Sequence, residues 1–101
     1  MKKIIDGRMY NTETATELGD FWNGLGASDF SYLSETLYRK KNGEFFLCGE
    51  GGAMTKYSQL FGNESCGGEE IIPFTEEQAK HWAEKNLDAD KYIEIFGEPE
   101  E

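Results

Sequence analysis

The dipeptide Asn42-Gly43, set between two runs of strand-forming residues, constrains this chain more than any other feature. Asn-Gly accepts the left-handed backbone that a two-residue hairpin turn needs at both central positions, and alternating strand formers on either side complete the signature. As a two-residue turn it pairs Lys41 with Glu44, Lys40 with Phe45, Arg39 with Phe46, Tyr38 with Leu47 and Leu37 with Cys48. Side chains alternate between the faces of a strand, so both faces of this hairpin carry apolar groups. One face is expected to meet the core and the other to be partly covered by a terminal segment.

The rest of the chain arranges itself around that hairpin. Asp6-Gly7 predicts a second tight turn, with Ile5 opposite Arg8 and Ile4 opposite Met9. Ala15, Leu18 and Trp22 recur at helical spacing behind Asn11 or Thr12 as cap, which predicts a helix over residues 12–22. Residues 23–28 read as a flexible connection, and the glycines at 49, 51 and 52 predict irregular structure over residues 49–54. Residues 56–60 fit a strand or a helical turn equally well, and residues 62–68 read as a polar, Gly-rich loop. Residues 69–74 look like an edge strand, because Pro73 has no amide proton for a ladder. Thr75-Glu76-Glu77-Gln78 matches a capping box, and Ala79, Trp82, Ala83 and Leu87 follow as an apolar stripe. A second short helix runs from an Asp88 cap to Phe96, where Gly97 ends it and Pro99 prevents resumption. The expected fold is α+β: a small antiparallel sheet of β-hairpins packed with an N-terminal helix and a C-terminal helix pair. It forms one domain over residues 1–97, followed by a frayed acidic tail at 98–101.

Charge narrows the function. Twenty Asp and Glu oppose ten Lys and Arg, for a net charge of −10, and residues 51–101 carry −8 of it. A protein that neutralises phosphates needs the opposite sign, so neither direct DNA binding nor attraction to an anionic membrane is expected. A basic partner surface would be drawn to the second half. Solubility alone is the plainer account of the same acids. Met1-Lys2-Lys3 is followed by only two apolar residues before Asp6-Gly7, so no secretory signal is read here. With two cysteines outside any disulfide or zinc pattern, a cytoplasmic setting is the expectation.

Three stretches together resemble a known family. They are Ile4-Ile5-Asp6-Gly7-Arg8-Met9-Tyr10 with residues 11–15, residues 34–47 with Gly49-Glu50-Gly51-Gly52-Ala53-Met54, and residues 72–84 with 87–97. The chain is similar to small acidic proteins of bacterial mobile elements, some of them associated with inhibition of type II CRISPR effectors. The resemblance spans nearly the whole chain, apart from the variable stretch 20–31 and Cys48, where the family more often has an aromatic residue. It implies a non-enzymatic, anti-CRISPR-type inhibitor whose partner is a protein with a basic nucleic-acid-binding channel, such as Cas9 or its guide RNA complex. The alternative is an accessory or regulatory protein-binding module of a mobile element with no CRISPR target.

The residues suited to such a partner are acidic. Glu84 and Asp88 are four apart, as are Asp90 and Glu94, so helices would stack each pair on one face. Like charges at that spacing oppose helix formation slightly, so local stability does not account for them. A row of carboxylates can instead stand in for phosphates and take bidentate bonds from arginines. Glu69, Glu70, Glu76 and Glu77 extend the row, although acids in a first helical turn also favour the helix dipole. Lys80, Lys85 and Lys91 interleave with these acids and favour an ordinary solvated face. His81, Cys48 and Cys66 lack zinc-ligand spacing, a Cys–His nucleophilic pair is a similarly weak signal, and the glycines at 49–52 lack the Lys-Ser/Thr of a phosphate loop. No catalytic residue, metal or cofactor is assigned.

Overall fold

In the computed structural model, which describes residues 1–101, the chain forms eight strands and two helices. The strands are β1 (Lys2–Ile5), β2 (Arg8–Asn11), β3 (Thr16–Trp22), β4 (Leu33–Arg39), β5 (Phe45–Gly51), β6 (Gln59–Phe61), β7 (Glu64–Cys66) and β8 (Gly68–Phe74). The helices are α1 (Glu76–Asn86) and α2 (Ala89–Phe96). The main sheet is antiparallel in the order β3-β4-β5-β8, and β1–β2 and β6–β7 form separate two-stranded hairpins. The α+β class read from the sequence is therefore the class the chain adopts. No helix is long and apolar enough to cross a membrane.

Asn42-Gly43 does reverse the chain, but through a three-residue loop. Gly43 N donates to Lys40 O at 2.9 Å, Lys40 N donates to Glu44 O at 2.8 Å, and only Gly43 of the central residues takes a positive φ, +93°. A type I turn closed by a left-handed glycine is the usual three-residue solution. The pairing accordingly shifts by one residue from the two-residue reading, to Arg39↔Phe45, Tyr38↔Phe46 and Leu37↔Leu47. A shift of one changes which side chains share a face. The observed register puts Leu37, Phe45 and Leu47 together against the helices, and Tyr38, Phe46 and Cys48 together on the opposite face. The Asp6-Gly7 turn keeps its expected register, with φ of +51° and +77° at its two central residues.

Residues 12–22 do not form a helix. Asn11 O accepts from both Thr14 N and Ala15 N, a turn that stops there, and the chain continues as β3 along the free edge of β4. Two features favour the strand. A register shift between Glu17 and Gly19 turns Leu18 into the core, and Gly19 has no side chain to collide with Leu87, whose Cδ1 would lie 2.8 Å from a Cβ there. Hydrogen bonding to β4 and burial of Leu18 outweigh a helical pattern that already contained a glycine.

The glycines after Cys48 likewise do not break the chain. β5 runs through Gly51, paired with β4 on one side and β8 on the other. Gly49 is needed because the Tyr57 ring lies against it, with Oη only 2.0 Å from the position a Cβ would take. Within 62–68, residues Glu64–Cys66 pair with Gln59–Phe61, turning at Gly62 (φ +66°), where a loop was expected. This small hairpin leaves Leu60 and Phe61 about four-fifths exposed.

The C-terminal helices start where expected. Thr75 Oγ1 accepts from Gln78 N at 3.1 Å while Gln78 Oε1 accepts from Thr75 N at 2.8 Å, and Asp88 Oδ1 accepts from Lys91 N at 2.8 Å. Ala79, Trp82 and Ala83 pack on Leu18, Leu37, Phe45 and Leu47, with Tyr92, Ile95 and Phe96 of α2 against the same cluster. The other face of the sheet is covered by the β1–β2 hairpin. Tyr10 meets Phe46 edge-on at 5.6 Å, Tyr38 stacks on Phe46 at 5.1 Å, and Ile5 and Ile71 complete this second core.

Candidate acidic docking face

The helix pair stands on one face of the sheet, and its connection carries the acids. Asp88 caps α2 and lies directly after the end of α1, while Asp90 and Glu94 are one turn apart on α2. Asp20 on the edge strand β3 joins them. Asp20, Asp88, Asp90 and Glu94 line one open surface hollow together with Lys91. Glu84 and Asp88 line the adjoining hollow, whose floor is Ala83, Leu87, Tyr92 and Ile93. Five carboxylates therefore meet at one corner of the molecule. The local cations there are Lys91, whose Nζ lies 3.6 Å from Glu94, and Lys85 in the last turn of α1.

The remaining predicted acids are not part of that corner. Glu69 and Glu70 are neighbours on β8 and so project from opposite faces of the sheet. Glu69 lies opposite Glu50, whose Oε1 accepts from Tyr32 Oη at 2.8 Å, and Glu70 lies opposite Gly49, beneath Tyr57. Glu76 and Glu77 sit in the first turn of α1, about 12 Å along the helix axis from Glu84. Glu76 Oε1 is 3.9 Å from Lys80 Nζ, and both acids favour the helix dipole. Asp88 also has a structural task, as the cap of α2. Asp20 was not singled out from the sequence. It fell in a segment read as helical, and only the pairing of β3 with β4 places it at this corner.

A second constellation was also missed. Glu35 is 3% exposed, and its carboxylate is met by three donors from two distant parts of the chain. Trp82 Nε1 donates to Oε1 at 3.0 Å, Tyr57 Oη donates to Oε2, and Lys56 Nζ lies 2.7 Å from Oε2. Burial pushes the Glu35 carboxyl up, but the bonds from Lys56, Tyr57 and Trp82 together outweigh it and hold the group below its ordinary value. Burial and the bond to Glu35 push the Tyr57 phenol strongly up, so it stays protonated and donates. Every polar atom of this buried network is satisfied. The arrangement ties the segment after β5 and helix α1 to strand β4, which is a positioning role.

No three His, Cys, Asp or Glu side chains are placed to hold a metal ion, so His81, Cys48 and Cys66 do not converge. Cys48 and Cys66 are free thiols, and burial pushes the Cys48 thiol up, away from the reactive thiolate. What the acidic corner offers chemically is negative charge on a helix pair beside a small apolar floor. Comparison with protein-family models, with curated proteins and with solved structures finds no match for this chain.

Proposed function

We propose that this protein acts without catalysis, as an inhibitor of the anti-CRISPR type that seats an acidic face in the basic nucleic-acid channel of a Cas9-like effector. The observation that carries the reading is the convergence of Glu84, Asp88, Asp90 and Glu94 with Asp20 on one corner. Clustered carboxylates on helices satisfy channel arginines as phosphates do, by charge-assisted and bidentate bonds. Such a surface also steers association, so binding is fast at low salt and weakens as salt rises. Glu69, Glu70, Glu76 and Glu77 lie away from the corner and are not needed for this contact.

The test is co-purification of the protein with apo and guide-loaded Cas9 at about 0.1 M and 0.5 M salt, alongside a DNA-cleavage assay. The diagnostic variant combines Glu84→Lys, Asp90→Lys and Glu94→Lys with Asp88→Asn. Asparagine keeps the helix cap while removing its charge, so thermal melting of the variant stays close to that of the parent. Binding and inhibition are expected to fall by about tenfold or more, the loss being chiefly in association rate. Wild-type binding that survives these changes undiminished, or no binding to either form of the effector, refutes the reading.

A further inference from the structure

The net charge hides a segregation. Residues 1–11 and 39–44 hold six of the ten bases and only two of the twenty acids, a local balance of +4, which leaves the rest of the chain at −14. The fold brings these two segments together on the sheet face opposite the helices. Tyr10 packs on Phe46, Lys40 Nζ sits 3.7 Å above the Tyr10 ring, and Arg8 pairs with Glu44. Between them lies an open hollow of about 500 Å³ lined by Arg8, Asn11, Thr14, Lys40, Lys41 and Asn42, together with Met9 and Glu44.

Its one acid is already occupied. Glu44 takes Arg8 on Oε2, and on Oε1 it takes Lys40 Nζ at 3.2 Å and Asn42 Nδ2 at 2.8 Å. Glu44 thereby holds two of the cations in place without cancelling the site. Of the three bases lining the hollow, Lys41 makes no ion pair at all, nor do Lys2, Lys3 and Arg39 outside it. Arg, Lys, Asn and Thr are the side chains that contact sugar-phosphate backbones. Charges more than about 8–10 Å away are largely screened at physiological salt, so the distant acids do not cancel the local field.

We propose that this hollow, between the β1–β2 hairpin and the Asn42-Gly43 turn, binds the phosphodiester backbone of a single-stranded nucleic acid. The site stands apart from the acidic corner, on the other face of the sheet, and does not depend on the reading given to that corner. It reverses the expectation drawn from whole-chain charge, which summed two surfaces of opposite sign. Contacts from the three lining bases to about three phosphates give a weak, sequence-tolerant interaction with a slope of log K against log salt of about −2.

The test uses a fluorescein-labelled 20-nucleotide oligouridine and fluorescence anisotropy at about 50 mM salt, with no effector present. A rise with a micromolar Kd and that salt slope is expected. The double variant Arg8→Glu, Lys41→Glu, both at exposed positions that line the hollow, should weaken binding at least tenfold. Lys85→Glu, which removes a base on α1 outside the hollow, should leave binding within twofold. No anisotropy change up to about 200 μM protein overturns the proposal, as does equal loss in the double and Lys85 variants. Binding to vesicles of phosphatidylglycerol and phosphatidylcholine without binding to the oligonucleotide also overturns it, by assigning the hollow to lipid headgroups.

Discussion

Glu35 occupies a position where its strand neighbours on the same face, Leu33 and Leu37, are aliphatic. Its partners at 56, 57 and 82 are remote in sequence, so no local pattern announces the network. The charge is tolerated because each buried donor and acceptor has a partner. Its pH signature follows from the depressed carboxyl. The folded state holds this proton more weakly than the unfolded chain, so the stabilisation is complete above the ordinary value of 4.5 and is lost as pH falls below it. Thermal melts between about pH 7 and pH 3 should show a declining midpoint through that window. Glu35→Gln should be less stable at neutral pH by about 1–3 kcal/mol, through mismatched donors, and should show a shallower acid decline. A variant declining as steeply as the parent would place the acid sensitivity elsewhere. Gly49→Ala tests the same contact from beneath, since its methyl group would drive the Tyr57 ring away from Glu35. A loss of about 1–3 kcal/mol in urea unfolding is expected.

Among the elements, those fixed by adjacent residues were legible in the sequence and those fixed by distant partners were not. Thr75-Glu76-Glu77-Gln78 closes its own hydrogen bonds, so the start of α1 was readable to the residue, as was the Asp6-Gly7 hairpin. The Asn42-Gly43 register was not, because the dipeptide serves both two- and three-residue loops. The choice depends on bringing Leu37 to the same face as Leu47. β3 was misread for a similar reason: its ladder partners lie 12 to 23 residues away, and a bulge disguised the alternation. Gly43→Ala discriminates between the two loops. At φ +93° a side chain costs about 1–2 kcal/mol, while Asn42→Ala, outside the left-handed region, should lose less. Equal losses on denaturation would favour the two-residue turn. Hydrogen exchange should find the amides of β5, paired on both sides, slowest in the molecule, and those of β6–β7, an isolated pair, among the fastest.

For the molecule as a whole, charge matters more through its distribution than through its sum. The composition disclosed −10 but not the two faces it divides between, because only folding brings residues 1–11 against 39–44 and Asp20 against α2. The acidic corner was partly readable, since Glu84, Asp88, Asp90 and Glu94 keep helical spacing. Glu69 and Glu70 separated because strand geometry sends neighbours to opposite faces. Self-repulsion in the acidic part is weakened by salt. Raising sodium chloride from about 0.05 M to 0.5 M should therefore lift the melting temperature by about 2–5 °C. A fall would mean that the ion pairs at Glu44 and Glu35 outweigh that repulsion.

β5 and β8 lie side by side, yet the chain leaves the sheet between them to build β6–β7 before returning. Antiparallel neighbours can be joined by two residues; Lys56 and Tyr57 at the start of this excursion serve Glu35, but the β6–β7 hairpin beyond them is an addition to a finished scaffold. Residues 60–65 are thus a natural splice point, where a fluorophore, an epitope or a foreign recognition loop can be grafted without disturbing either core.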